Sequence, residues 1–352
     1  MKQNDNKVNK SLERYNEFII ENGISSDLSK LWESYKNDFS PNFNEKQGNL
    51  RSYNTNKIIK DSKILLILNI YFYSNRIKYI FGVLLQYLQR IIFKLLLLPK
   101  KFENKYSFYN LSLIYKPLIR DVNFLKFYKK MFNILEWNLS YNTFKNCYYY
   151  YKFSNSNNNF QYKSVIEIGS GLAQFAMFNL INSENLIYIC VDIEEMIPSA
   201  YLSIIDNYPN NDVDLFLPHE VNEFNLSNSK KKVLFLTPKQ YYQLENLINF
   251  KIDLLVNIES FAEMKISVVN DYLNKSKDFL NTDSMIFSCN RLSRLIDRTD
   301  RIQPDITKYT LFSDYNLINY NVILYEIDQL RSHIQGAEIQ ENIIYLGRLK
   351  NN

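Results

Sequence analysis

Two glycines, Gly169 and Gly171, flank Ser170 in the run SVIEIGSGLAQF, just after the acidic residue Glu167. The chain has only 7 glycines in 352 residues, so this spacing indicates a specific demand on the backbone. Glycine allows a sharp turn and the close approach of a ligand, because it has no Cβ. A helix that begins after the turn offers free N–H groups to an anionic group. The turn therefore predicts a nucleotide-type cofactor site; the alternative is a tight strand-to-helix turn without a ligand.

The acidic residue Asp192 ends the next apolar run, in YICVDIEEM, roughly 20 residues beyond the glycines, as in nucleotide-binding folds. A carboxylate there can accept hydrogen bonds from both hydroxyls of a ribose, and Ile193 is assigned to the same site. Alternatively, Asp192 caps the following helix, because Glu194 and Glu195 suit a first helical turn. The two roles are compatible. Together, the glycine turn and Asp192 predict an adenosine-containing cofactor.

The choice of cofactor depends on Gln174 and Glu167. A dinucleotide fingerprint has a third glycine where Gln174 stands, which lets the helix pack closely beside a pyrophosphate. The absence of that glycine, and the acid before the turn, favour S-adenosyl-L-methionine (SAM), which carries no phosphate. Glu167 would face the ammonium of the methionine end, directly or through water, while N–H groups of the turn bind its carboxylate. The alternative for Glu167 is a turn acid that accepts backbone hydrogen bonds.

Short apolar runs alternate with helix-length segments after residue 161. Strands are predicted at 164–168, 186–191, 214–218, 232–238, 252–257 and 284–290, followed by a closing hairpin at 320–327 and 341–349. Helices are predicted at 172–182, 195–207, 239–248 and 265–279. This alternation indicates an α/β fold with a mostly parallel, Rossmann-like sheet covered by helices on both faces.

A mainly helical N-terminal region is predicted over residues 1–160, and the α/β domain over 161–352. Helical periodicity is clear at 27–39 and at 121–135. The polar, Asn-rich run 152–161 has the composition of a domain boundary. The helical region is expected to cover the open face of the sheet and to shape the pocket of the acceptor.

One segment of the N-terminal region, residues 64–98, is strongly apolar. Its charge-free run is far shorter than the roughly 20 residues that a membrane-spanning helix needs. It is interpreted as a buried helical pair or, alternatively, as an amphipathic helix with a basic rim on a membrane surface.

Composition excludes several classes of protein. The net charge is +5 with basic and acidic residues interspersed, so a dedicated nucleic-acid interface is not predicted. Cys147, Cys190 and Cys289 lack paired spacing, which argues against a disulfide framework or a zinc site and fits a reducing compartment. Cys190 and Cys289 lie in apolar, strand-like runs and are interpreted as inert core residues. The first residues lack the apolar stretch of a secretory signal. A cytoplasmic location is expected, either free or at the inner face of the membrane.

Three stretches, VIEIGSGLAQF, VDIEE and IDLLVNIESFAEM, resemble a bacterial family classed as sugar O-methyltransferases, within the class I SAM-dependent methyltransferases. The resemblance covers the α/β part well and the N-terminal half weakly. Its most specific part is the block formed by Asn257, Ser260, Phe261, Glu263 and Met264. The family implies a Rossmann-like fold, SAM as cofactor, and methyl transfer to a sugar hydroxyl of a surface polysaccharide or its precursor.

The run NIES, after the fourth strand of that fold, bears on the acceptor. Enzymes that methylate the amino groups of bases usually have a Pro-Pro-aromatic element there, which stacks on a flipped base. This chain has no proline at that point, which argues against a nucleic-acid partner. A sugar, nucleotide sugar or glycan is the expected partner. The alternatives are another small hydroxylated molecule, or a non-catalytic binding protein that keeps the fold.

Hydroxyl methylation needs a base, because a sugar hydroxyl is a poor nucleophile near neutral pH. Glu263 is the first candidate, with a first-turn helix acid as the alternative. His333 is the second, since its ordinary pKa suits a base, although it is equally an ordinary loop residue. His219 ranks third. Glu259 and Glu263 would alternatively join an aspartate around a divalent metal, which the spacing of His and Asp does not favour.

Further residues are assigned by their place after predicted strands. Pro238 and Gln240 follow the strand expected to flank the adenine, and Asn257 is expected near the centre of the cofactor. Arg291 and Arg294 follow the fifth strand and would reach an anionic acceptor, or else contribute surface charge.

Overall fold

The computed structural model describes residues 2–22, 122–135, 141–156, 160–209, 212–224, 231–291, 308–326 and 339–350. Its centre is a sheet of eight strands in the order β3-β4-β2-β1-β5-β6-β8-β7. The strands are β1 (Ser164–Ile168), β2 (Ile187–Val191), β3 (Val213–Phe216), β4 (Lys231–Leu236), β5 (Ile252–Ile258), β6 (Leu280–Arg291), β7 (Tyr315–Glu326) and β8 (Ile339–Leu349).

Strands β1 to β6 run parallel, and β8 pairs antiparallel with both β6 and β7. The chain thus crosses over between parallel neighbours and ends in an antiparallel pair. This topology confirms the predicted Rossmann-like sheet and the closing hairpin. The chain order reverses direction at β1, which lies between β2 and β5, and in open α/β sheets such a switch point is where ligands bind.

The described helices are α1 (Lys2–Asn22), α2 (Val122–Ile134), α3 (Tyr141–Ser156), α4 (Gln174–Ile181), α5 (Ile197–Asn207), α6 (Pro238–Tyr241), α7 (Leu244–Leu247), α8 (Ile266–Ser276) and α9 (Leu311–Asp314). Two 3₁₀ turns, Pro218–Glu223 and Phe261–Glu263, lie between them.

The central strands are buried on both faces, which explains their nearly continuous apolar sequences. Alternate residues point to opposite faces, so Val165 joins the hydrophobic core on one side and Ile166 the core on the other. The first core also contains residues of α1, α2 and α3. Aromatic rings connect α3 to α4, with Tyr150 stacked on Phe178 at 5.7 Å. The described N-terminal helices therefore share a core with the sheet.

Most predicted elements are confirmed with small shifts of their ends. The predicted helix at 239–248 is divided into α6 and α7, because Gln243 leaves the helical region at φ −114° and ψ 11°. Strands β6 and β7 begin a few residues earlier than predicted, β6 in the mostly polar run 280–283 and β7 in the mixed run 315–319. The predictions for 27–39 and 64–98 lie outside the described residues, and the boundary near residue 160 stays a prediction.

Cys147, Cys190 and Cys289 are all free and buried. Their burial confirms the prediction that Cys190 and Cys289 are core residues, and it raises the pKa of each of the three thiols well above its ordinary value. Across the described ranges, no helix combines the length and apolar character needed to cross a membrane.

Candidate functional site

The carboxyl ends of β1, β2 and β5 lie side by side at one edge of the sheet. Register pairs Ile168, the last residue of β1, with Val191 on one side and Asn257 on the other. The glycine turn after β1, the loop that begins at Asp192 and the loop after β5 therefore meet at this edge. Residues far apart in sequence form one candidate site.

The two glycines of the turn have different surroundings. Both have positive φ, 73° for Gly169 and 54° for Gly171, a region that side chains disfavour. A Cβ on Gly169 would lie 2.2 Å from the Cβ and the Oγ of Ser260. A Cβ on Gly171 would have no described heavy atom within 4 Å. Gly169 thus permits contact with the loop after β5, whereas Gly171 borders open space.

Asp192 bridges the two loops. Its Oδ2 accepts the N–H of Gly171 at 2.6 Å, and its Oδ1 accepts the N–H of Ile193 at 2.8 Å. The side chain is buried, with 8% of the residue exposed. Helix α5 begins only at Ile197, with Met196 at its N-cap position, so the alternative that Asp192 caps this helix is wrong. The carboxylate instead lies against the turn, beside the open space at Gly171.

Glu167 lies beneath the turn, on β1, and is 2% exposed. Its Oε2 accepts the hydroxyl of Tyr188, from the neighbouring β2, at 2.7 Å. The partner that the structure describes is therefore a side chain of the next strand, and not the backbone of the turn. Whether Glu167 also faces an ammonium stays a prediction.

Both acids have raised pKa values. Burial raises the pKa of Asp192 to about 7; the N–H groups of Gly171 and Ile193 oppose this, and the nearby charges of Glu263 and Glu194 add to it. Burial also raises the pKa of Glu167 to about 8, against the hydrogen bond from Tyr188. Both carboxyl groups thus have pKa values near neutral pH, and both lie at the switch point of the sheet. Perturbed pKa values of this kind are typical of a functional site.

Asn257 holds the loop after β5 in place. Its Nδ2 donates to the carbonyl of Ile168 at 2.8 Å, and its Oδ1 accepts from Phe261 N–H at 3.3 Å and from Asn290 Nδ2 at 2.8 Å. The hydroxyl of Ser260 donates to the same Ile168 carbonyl at 2.9 Å. Asn257 has no exposed surface. Asn257 therefore joins the end of β1 to the loop after β5, and its amide is not presented to solvent.

Pro238 and Gln240 belong to a capping box that starts α6. Gln240 Oε1 accepts the N–H of Thr237 at 3.1 Å, and its Nε2 donates to the carbonyl of Pro218 at 2.8 Å. Pro218 opens the 3₁₀ turn that follows β3, so Gln240 connects the loops after β3 and β4. Their predicted contact with adenine stays a prediction.

Of the proposed bases, Glu263 lies in the described site. It ends the 3₁₀ turn Phe261–Glu263, outside α8, and its charge helps to raise the pKa of Asp192. His219 lies in another turn, against Phe18 of α1 at 6.4 Å between ring centroids, and burial lowers its pKa. His333 and Arg294 are outside the described residues. Arg291 is the last residue of β6.

Three residues not predicted to act together meet at the other side of β1. Glu259, directly after β5, accepts a hydrogen bond from the ammonium of Lys145 on Oε2. Its Oε1 accepts the hydroxyl of Tyr149 at 3.0 Å. Lys145 and Tyr149 lie one turn apart on α3, and this helical spacing was the available sequence signal. We call these three residues the α3–β5 cluster.

The described residues contain no group of three or more His, Cys, Asp or Glu that could hold a metal. The alternative metal site at Glu259 and Glu263 thus has no third ligand within the described part of the chain. The carboxylate of Glu259 is bound by Lys145 and Tyr149 instead.

Helix α1 lies against the loop after β2, which sequence reasoning did not anticipate. The hydroxyl of Tyr15 donates to the carbonyl of Glu194 at 2.7 Å, and Tyr15 is buried. Burial, and then the nearby charges of Glu194, Glu195 and Asp192, raise the pKa of this tyrosine. The first helix of the chain therefore forms part of the wall beside Asp192.

A scan against protein-family models and a search of curated sequences give no match. Among solved structures, the chain is similar to the N-methyltransferase NodS from Bradyrhizobium japonicum, in complex with S-adenosyl-L-homocysteine, at 10% identity and a TM-score of 0.38 over 58% of this chain and 86% of that chain. It is also similar to magnesium protoporphyrin IX methyltransferase from Synechocystis PCC 6803, with bound SAM, at 9% identity and a TM-score of 0.36 over 71% and 94%. Identities and scores this low carry no argument about activity, so the Rossmann-like fold is assigned from the strand order and register.

Proposed function

We propose that this chain is a SAM-dependent methyltransferase whose cofactor lies across the carboxyl ends of β1 and β2. The observation that carries the proposal is the open space beside Gly171, bordered by the buried carboxylate of Asp192. It lies at the switch point of the sheet, where ligands of α/β folds bind.

The residues at this edge suit the parts of SAM. Asp192 is placed to accept hydrogen bonds from the ribose hydroxyls, since each carboxylate oxygen has lone pairs beyond its backbone partner. Gly171 leaves room for a ligand next to the main chain. Glu167 contributes negative charge beneath the turn once it is ionised. When bound, SAM supplies an electrophilic methyl group on a sulfonium.

For the acceptor, we propose a sugar hydroxyl of a surface polysaccharide or its precursor. The support is the resemblance of the block that runs from Asn257 to Met264, together with the absence of proline in NIES. A hydroxyl needs a group that accepts its proton as the methyl moves. Glu263 and His333 were predicted from the sequence for this role.

Ligand-dependent thermal unfolding tests the cofactor. We expect SAM and S-adenosyl-L-homocysteine to raise the melting temperature of the full chain, because a ligand that binds only the folded state stabilises it. NAD should have no effect. Asp192→Ala should abolish the shift, whereas Glu223→Ala, which removes an exposed acid, should preserve it.

A shift with NAD alone would exclude SAM. Transfer of label from methyl-labelled SAM to free hexoses and nucleotide hexoses then tests the acceptor. A protein that binds SAM but labels none of these compounds would exclude them as acceptors while leaving the cofactor assignment intact.

A further inference from the structure

The backbone of Glu259 is unusual. Its φ is 62°, and among the described residues only one other non-glycine residue, Ala173, has a positive φ. For a residue with a Cβ, this left-handed conformation costs about 1–2 kcal/mol. Glycine or asparagine would reduce this cost. A glutamate at this position therefore indicates that its side chain has a role.

The α3–β5 cluster fixes that side chain. Lys145 and Tyr149 donate to different carboxylate oxygens of Glu259, and the N–H of Glu259 donates to the carbonyl of Cys289 at 2.7 Å. The side chains of Lys145 and Glu259 are 8% and 16% exposed. The carboxylate is thus held firmly but is not closed off from solvent.

The cluster lies on the side of β1 opposite to Asp192. Asp192 follows β2, whereas Glu259 follows β5, and β1 lies between these strands. If the ribose lies at Asp192, the reacting end of the cofactor extends toward β5. The contact between Ser260 and Gly169 places the Glu259 loop directly beside the turn.

We propose that Glu259 accepts the proton of the acceptor hydroxyl, with Lys145 and Tyr149 as positioning residues. This inference rests on the proposed methyltransferase function. The hydroxyl oxygen forms a bond to the methyl carbon, the carbon–sulfur bond breaks, and its electron pair stays on sulfur. The hydroxyl proton passes to Glu259. The products are a methyl ether, a neutral thioether and a carboxylic acid that later returns its proton to water.

Lys145 reduces an unfavourable effect that a carboxylate has beside a sulfonium. The positive charge of the sulfonium disappears in the transition state, so an isolated carboxylate nearby would stabilise the reactants and raise the barrier. An ammonium that bonds Glu259 reduces this attraction. Glu263 belongs to the same loop after β5, and its charge helps to raise the pKa of Asp192.

The test uses two ligands that differ only at the reacting position. Sinefungin carries an amine-bearing carbon where S-adenosyl-L-homocysteine has sulfur, so its ammonium reports a nearby carboxylate. Calorimetry gives the ratio of the two dissociation constants for the full chain. We expect Glu259→Gln to weaken sinefungin about tenfold relative to S-adenosyl-L-homocysteine. Lys145→Met should instead strengthen sinefungin relative to S-adenosyl-L-homocysteine, because the negative charge of Glu259 then lacks its internal counter-charge.

Each outcome either supports or overturns the proposed role of Glu259. The inference is overturned if Glu259→Gln leaves the ratio of the two dissociation constants unchanged, or if Glu263→Gln, and not Glu259→Gln, weakens sinefungin relative to S-adenosyl-L-homocysteine. A purely structural role would weaken both ligands equally, which also overturns it. Glu223→Gln provides a matched control for an exposed glutamate. If the unaltered chain binds neither ligand, the proposed function itself fails, and that result is distinguishable from a failure at Glu259.

Discussion

The turn after β1 and the loop after β5 each contain a residue with a similar positive φ, but one of these residues has no side chain and the other has a charged one. Gly171 has φ 54° and no side chain, next to open space. Glu259 has φ 62° and a carboxylate held by Lys145 and Tyr149. The first position relieves strain by having no Cβ, whereas the second keeps the strain and the functional group. The difference indicates that the turn after β1 leaves space for a ligand, whereas the loop after β5 supplies a reactive side chain.

The contact between the two loops gives the largest expected effect. Gly169→Ala would place a methyl 2.2 Å from Ser260 and force a left-handed alanine, so we expect a loss of about 3 kcal/mol in the free energy of unfolding. Denaturant unfolding measures it. Ser260→Gly in the same chain should restore part of the loss; without any recovery, contact with Ser260 is not the cause.

The next effect concerns the ion pair that holds the loop after β5. Lys145→Met leaves the carboxylate of Glu259 without its counter-charge, and removal of one partner from a buried pair is strongly destabilising. Because Glu259 is partly exposed, we expect a loss of about 2 kcal/mol in unfolding free energy. The double variant Lys145→Met/Glu259→Gln should recover at least half. A double variant as unstable as the single one would contradict this account.

Gly171→Ala should be milder for stability than Gly169→Ala, because only the left-handed conformation is unfavourable. We expect a loss of about 1 kcal/mol in unfolding free energy, but at least about a tenfold weaker affinity for SAM, since the methyl enters the open space. Calorimetry measures the affinity. Undiminished binding would show that the cofactor does not approach this glycine.

The last expected effect is a dependence of stability on pH, which arises from the acid beneath the turn. The folded-state pKa of Glu167 is about 8, above its ordinary 4.5, so the unfolded chain loses this proton first as the pH rises. Stability contributed by protonated Glu167 is present below pH 4.5 and is lost up to about pH 8. Glu167→Gln should flatten the decline between pH 5 and 8 by up to about 4 kcal/mol, since one pKa unit corresponds to about 1.4 kcal/mol. Equal slopes in both proteins would refute the raised pKa.

Much of the α/β fold was predictable, because buried parallel strands are continuous apolar runs and helices between them have a regular period. The starts of β6 and β7 were missed, since the run 280–283 is mostly polar and the run 315–319 mixes apolar and polar residues without regular alternation. Among site residues, Gly171 and Asp192 lie together as predicted. Asn257 was predicted near the centre of the cofactor, which stays a prediction; its hydrogen bonds to Ile168 and Asn290 are directed into the protein, which no spacing reveals.

The sequence by itself determined the glycine turn, the acid after the second strand and the sheet that brings them together, because these depend on local conformation and periodic burial. Only the tertiary structure decided which glycine meets Ser260 and which borders open space. It alone paired Lys145 and Tyr149 with Glu259, residues more than a hundred positions away in the chain. Such contacts depend on how helices and loops pack across the sheet, and periodicity carries no information about them.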